Sequence, residues 1–242
     1  MPAITVEVCV DDASGLAAAI AGGAHRIELC SALAIGGLTP SAGFMQLAAK
    51  SPIPVFAMIR PRAGSFVYSA EELDVMRADI DAAAQAGLAG VVLGVSAASD
   101  ALDAQTSAAL VAHARKAGLP ATLHRAIDLT PDPVAAVDAA VDAGFERILT
   151  SGGRRNAPAG ADTIAAMVQR AGERLSIMAG AGVRADNAAD LVRHTGVREV
   201  HGSCNGAPTE RNLRLVELGF SNPSARVTVA EEVAALVAAV NA

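Results

Sequence analysis

The sequence predicts an α/β fold, a (β/α)8 barrel formed as one domain over residues 1–242. Three observations carry that expectation. Eight short runs rich in Val, Ile and Leu recur along the chain. Six of them follow a glycine, at Gly23, Gly87, Gly118, Gly144, Gly172 and Gly196, and the last five of these glycines are roughly 24 to 31 residues apart. That spacing is about one strand–loop–helix unit. Composition is the third: 52% of residues are hydrophobic but only 2% aromatic, so Val, Ile, Leu and Ala must fill the core from many thin elements.

The elements follow in order. Ile4–Cys9 opens the series, and the stretches Gly23–Leu29 and Pro54–Arg60 follow it. The later stretches are Gly87–Gly94, Gly118–His124, Gly144–Thr150, Gly172–Met178 and Gly196–His201, each a glycine followed closely by its apolar run. A glycine before a strand suits the left-handed C-cap of the preceding helix. Thr39-Pro40 and Thr130-Pro131 read as an N-cap followed by a first-turn proline. Ser69 with Glu72, and Thr228 with Glu231, have capping-box spacing. A tail over 205–242 ends in a helix from about Thr228. A doubly wound open sheet is the alternative. The turn after the first strand has no Gly-x-Gly-x-x-Gly, so no nucleotide cofactor is expected.

The formal charge is −6, which with so few aromatic rings argues against nucleic acid as a partner. Three cysteines, Cys9, Cys30 and Cys204, do not make a disulfide framework. Met1-Pro2 runs straight into the first strand with no leader, and no apolar run reaches a membrane span. The expectation is a cytoplasmic protein with no membrane partner.

Barrel chemistry gathers at the C-terminal ends of the strands. Alternation points Thr5, Glu7 and Cys9 inward from the first strand, and Arg26, Glu28 and Cys30 inward from the second. Further strand ends carry Arg60, His124, Arg125, Thr150, Ser151 and His201, and Arg62 and Asp128 follow in loops. The glutamates need partners in a low-dielectric interior, and Arg26, Arg60 and Arg62 could pair them as a purely structural ion network. As an active site, the same groups offer Glu7 or Glu28 as general base and His124 or His201 as acid. Arg60, Arg62, Arg125, Ser151, Gly152, Gly180 and Gly182 would then hold a small anion, a phosphorylated one included. Cys9 and Cys30, at neighbouring strand ends, suit a soft metal ion such as Cu(I), with Cys204 as a candidate neighbour. His25, His113 and His194 lie elsewhere and are read as structural.

Several stretches are familiar together: Glu7-Val-Cys-Val-Asp11, Arg26-Ile-Glu-Leu-Cys-Ser31, Gly36-Gly-Leu-Thr-Pro40, Met58-Ile-Arg-Pro-Arg62, His124-Arg-Ala-Ile-Asp128, Leu149-Thr-Ser-Gly-Gly153 and Glu199-Val-His201. With them the chain resembles the CutC family of copper homeostasis proteins from about residue 4 to 204. The resemblance implies a cytosolic (β/α)8 barrel that forms a homo-oligomer, dimer or tetramer, and handles copper. It puts the copper-binding cysteines of the family on Cys9 and Cys30. Two departures stand out. The family's Arg-Pro-Arg-Gly-Gly-Asp is Arg60-Pro-Arg-Ala-Gly-Ser65 here, and its Gly-Gly-Gly after the seventh strand is Gly180-Ala-Gly182. Two uses of the mouth stay open at this point, Cu(I) handling and acid–base catalysis on a small anion.

Overall fold

The structure is a computed structural model and describes residues 3–208 and 212–241. Met1-Pro2, read above as leading directly into a strand, lies outside the described residues. Eight strands alternate with helices: β1 (Thr5–Val10), α1 (Ala13–Ala21), β2 (Arg26–Leu29), α2 (Ala42–Ala48), β3 (Val55–Met58), α3 (Ala70–Ala86), β4 (Gly90–Leu93) and α4 (Ala104–Lys116) form the first half. The second half runs β5 (Ala121–Leu123), α5 (Pro133–Ala143), β6 (Arg147–Thr150), α6 (Ala161–Ala171), β7 (Ser176–Ala179), α7 (Ala188–Thr195) and β8 (Glu199–Gly202). All eight strands are parallel and pair in chain order, and β8 pairs back onto β1. That closure decides for the barrel over the open sheet.

The predicted alternation sorts the strand residues into two layers. Val6, Val8, Val10, Ile27 and Leu29 pack outward against the helices, within one continuous core. A smaller apolar cluster of Cys30, Phe56, Met58 and Val92 forms separately. Register sets the polar pairs: Glu7 is level with Arg26 on one side and His201 on the other, and Cys9 is level with Glu28.

Three of the expected helix starts are displaced. Ser41 caps α2, because the hydroxyl of Thr39 instead accepts from the backbone N–H of Arg60. Asp132 caps α5 with Pro133 in its first turn, since Thr130 Oγ1 donates to the Ile127 carbonyl. Thr228 lies in a short strand, β10 (Val227–Thr228), antiparallel to β9 (Asn205–Gly206). The next helical bond, from Val233 N–H, goes to the carbonyl of Val229. At Ser69 the capping box forms as predicted, with both reciprocal bonds to Glu72. Ser69→Ala is expected to cost about 1 kcal/mol, read by urea denaturation.

Between β9 and β10 lies an excursion that includes a short helix, α8 (Leu213–Glu217). The final helix, α9 (Ala230–Asn241), packs against α1 and α7 and fills the eighth place in the outer ring. Its Asn241 accepts from Ile4 N–H at 2.8 Å and ties the helix to the start of β1. Among the described residues no helix is long and apolar enough to cross a membrane.

Candidate functional site

The floor of the barrel is an ion network. Arg26 donates from Nε to Glu7 and from Nη2 to Glu199, and Arg147 Nε reaches Glu199 at 2.6 Å. Both guanidinium groups lie over the ring of Phe56, at 5.4 and 5.6 Å. Gly90 leaves the room that this ring fills, as a Cβ there would sit 2.3 Å from it. Arg147 and Glu199 were not singled out from the sequence. The signal was present, since Glu199 and His201 share the parity that points His201 inward.

Above the floor stands a second tier. Glu7 Oε1 lies 2.8 Å from His201 Nδ1, and His201 Nε2 turns toward Glu28 Oε2 at 3.8 Å. The Cys9 sulfur, a Glu28 carboxylate oxygen and a His201 ring nitrogen lie within 4.8 Å of one another, and all three residues are buried. Cys30 Sγ contacts Glu28 Oε2 at 3.6 Å and packs with the apolar cluster around Met58. Burial alone would push Glu7 up, but the hydrogen bond with His201 and the charge of Arg26 outweigh it and hold the carboxyl at about 2. For Glu28 burial wins, and its carboxyl is pushed above the usual range. Burial opposes charge on His201, yet the Cys9 sulfur and the Glu28 carboxylate beside it keep the imidazolium well above its usual range. Cys30 is held well above an ordinary thiol by burial and by Glu28. The two glutamates, one level apart, are therefore driven in opposite directions.

The tier opens into a cavity of about 570 Å³ at the C-terminal face. His124 lines it from the end of β5, and Gly94 makes room, since a Cβ there would approach the imidazole within 2.9 Å. Burial drives His124 down to about 3, so the ring is neutral. Its Nδ1 accepts from Ala126 N–H, and Phe66 packs on it with 4.6 Å between centroids. Arg60 also lines the cavity, but its terminal nitrogens hold the carbonyls of Ile35, Gly37 and Gly64. Arg62 points elsewhere: it pairs with Glu72 at 2.5 Å and holds the Ser65 and Val67 carbonyls.

The loop after β6 is occupied from within. Asp128 receives Arg125 Nε (2.8 Å), Thr150 Oγ1 (2.6 Å), Ser151 Oγ (2.9 Å) and the backbone N–H groups of Ser151 and Gly153. Gly152 N–H goes to Thr150 Oγ1. The donors of Ser151 and Gly152 are thus engaged by the chain's own groups. Gly180 N–H is taken by the Thr150 carbonyl, whereas Gly182 lies on the cavity wall. Cys204 shares that wall, its thiol raised by burial to about 12. Three charged lining residues were not singled out from the sequence: Arg184 in the loop after β7, Arg226 just before β10, and Glu232 on α9. The remaining histidines bond locally: His25 Nδ1 accepts from Val6 N–H, and His113 and His194 pair with Asp81 and Asp162.

Comparison with known proteins identifies the family and agrees with the barrel fold. A model of the CutC family matches residues 4–206. The chain is 54% identical over 242 residues to a CutC family protein of Rhizobium meliloti, spanning 100% of this chain and 98% of that one. A CutC family protein of Caulobacter vibrioides is also 54% identical, over 241 residues, covering 99% and 98% of the two chains. A crystal structure of CutC from Streptococcus agalactiae, which carries copper homeostasis in its name, matches with a TM-score of 0.78 and 35% identity, covering 83% of this chain and 98% of that one.

Proposed function

As the chain belongs to the CutC family, we propose that it binds Cu(I) at the barrel mouth and handles copper in the reducing cytoplasm. The observation that carries this reading is the convergence of Cys9, Glu28 and His201, three buried donors within 4.8 Å. Thiolate and imidazole are ligands that copper accepts. The donor set fits a soft ion through Cys9 and the Nε2 face of His201. Glu28 is the harder donor and serves a different purpose. It receives the Cys30 thiol at 3.6 Å, and burial favours its protonated form. This contact holds the Cys30 thiol beside the cluster, and Cys30 would join the ligand set on losing its proton to solvent. The free state of all three cysteines supports the assignment to a reducing compartment.

Ligand atoms must shed protons before they bind a metal. His201 and Cys30 both hold theirs above the usual range. Affinity for Cu(I) accordingly rises as pH rises, by about tenfold per unit for each proton released. The test is anaerobic competition against a chromophoric Cu(I) chelator. The expected result is about one Cu(I) per chain, with affinity reduced at least about a hundredfold in Cys9→Ala. Undiminished binding in Cys9→Ala/Cys30→Ala overturns the proposal.

A further inference from the structure

We propose that the same mouth binds a second kind of ligand, a small organic phosphomonoester, seated between the loops after β7 and β8 at one end and Glu28 and His124 at the other. This goes beyond the Cu(I) reading and shares only Glu28 with it.

The first argument is size. A cavity of about 570 Å³ is far larger than one metal ion needs and lies within the range of small-molecule sites. Charge is the second. The chain carries a formal −6, yet the cavity wall gathers Arg60, Arg125, Arg184 and Arg226 against Glu28 and Glu232. Arg184 and Arg226 stand at its rim, and among the described residues their side chains bond only Asp186 and Asn205.

Unpaired donors are the third. The backbone N–H groups of Ala181, Gly182 and Ser203, all on the wall, donate to no described residue. The loop after β6 has the same glycine-rich character, but there the donors are filled by Asp128 and Thr150. Ala181 holds a φ of 71°, the left-handed region that a residue with a side chain rarely adopts. Strain of this kind persists where the surroundings enforce it and gathers at ligand sites.

At the other end, three buried polar atoms lack a partner among the described residues: Glu28 Oε1, His124 Nε2 and Arg60 Nε. They come from the ends of β2, β5 and β3, and all three residues line the cavity. Buried polar groups in native proteins are almost always satisfied, so three such atoms on residues that line one cavity mark places for ligand atoms. Neutral His124 and the Glu28 carboxyl suit hydroxyl or carbonyl groups. Leu33, Met58 and Phe66 supply the apolar contact for the carbon skeleton between the two ends. Several N–H groups and two guanidinium groups together match the three oxygens of a phosphate dianion better than a single carboxylate.

The experiment uses the full chain stripped of metal by chelation. Ribose 5-phosphate and glucose 6-phosphate are titrated by calorimetry and thermal shift, against ribose, glucose and inorganic phosphate. The expected result is a rise in Tm with the sugar phosphates, binding at least about tenfold tighter than inorganic phosphate, and no shift with the parent sugars. Arg184→Ala/Arg226→Ala is expected to lose about tenfold in affinity for the phosphomonoester while keeping its Cu(I) affinity, which also shows that the variant is folded. No response to either sugar phosphate, an equal response to the parent sugars, or unchanged affinity in the double variant overturns the proposal. Because the protein is metal-free and Cu(I) is titrated separately, failure here is distinct from failure of the copper reading.

Discussion

Arg26→Met is expected to lower the stability of the barrel by about 3 kcal/mol at neutral pH, measured by urea denaturation. Arg26 is the buried hub between Glu7 and Glu199. Removing one partner of a buried ion pair typically costs about 3–5 kcal/mol, because it strands the opposite charge. The lower end applies here, since His201 still contacts Glu7 and Arg147 still holds Glu199. For a chain of this length that corresponds to a Tm about 10 °C lower. The pH profile gives the same interaction a second signature. Glu7 is held at about 2 against an ordinary value of 4.5, so its carboxylate contributes stability above pH 4.5 that is lost as pH falls toward 2. In Arg26→Met part of that pull is gone, and the acid-unfolding midpoint moves to higher pH. Pairing the change with Glu7→Gln should recover much of the loss, as an uncharged amide no longer needs a cation. A loss below about 1 kcal/mol for Arg26→Met, or no coupling in the double variant, would contradict the role given to the network.

Asp128→Ala carries the second large effect. The carboxylate collects bonds from Arg125, Thr150, Ser151 and Gly153, and its removal leaves several donors unpaired at once. Unsatisfied groups of this kind cost about 1–3 kcal/mol each when dry, and access of water from the mouth limits the total to about 3 kcal/mol. What remains is a nest of backbone N–H groups with a guanidinium beside it, the ordinary makings of an anion site. Sulfate should therefore raise the Tm of Asp128→Ala more than that of the wild type. Sodium chloride at matched ionic strength is the control, and equal shifts in the two proteins would sink the idea.

Residues whose meaning depends on alternation are legible in the sequence. Glu7, Cys9, Arg26 and Glu28 turn inward because neighbours on a strand point to opposite faces, and the period of two on β1 and β2 reveals it. Height within the barrel is not legible in the same way. Strand register decides that Glu7 meets Arg26 at the floor while Glu28 keeps an open oxygen at the mouth. The Glu199–Arg147 contact joins residues 52 apart and has no local trace. A glycine-rich turn looks alike whether it holds a ligand or the chain's own carboxylate, so the part Asp128 plays in the β6 loop is hidden in the same way. Cys30 shows the limit for thiols. Its spacing matches that of Cys9, yet its sulfur sits by Gly37 and Met58, against the loop that follows β2. The misplaced caps at Thr39 and Thr130 have a similar origin, since each hydroxyl answers a backbone group outside the helix it was expected to start.

The closing position of α9 has a consequence for the order of events in this chain. Glu232 and Leu236 of that helix, and Arg226 just before it, belong to the wall of the mouth, while Asn241 fastens the helix to Ile4 at the start of β1. The cavity is therefore completed by a segment far along the chain from β1 and β2, the strands that supply Cys9 and Glu28. Until it docks, the outer ring lacks its eighth member and the mouth lacks one side. Occupancy of the mouth and seating of the final helix are linked equilibria: filling one deepens the other, and a helix that frays from the ring opens the site to solvent.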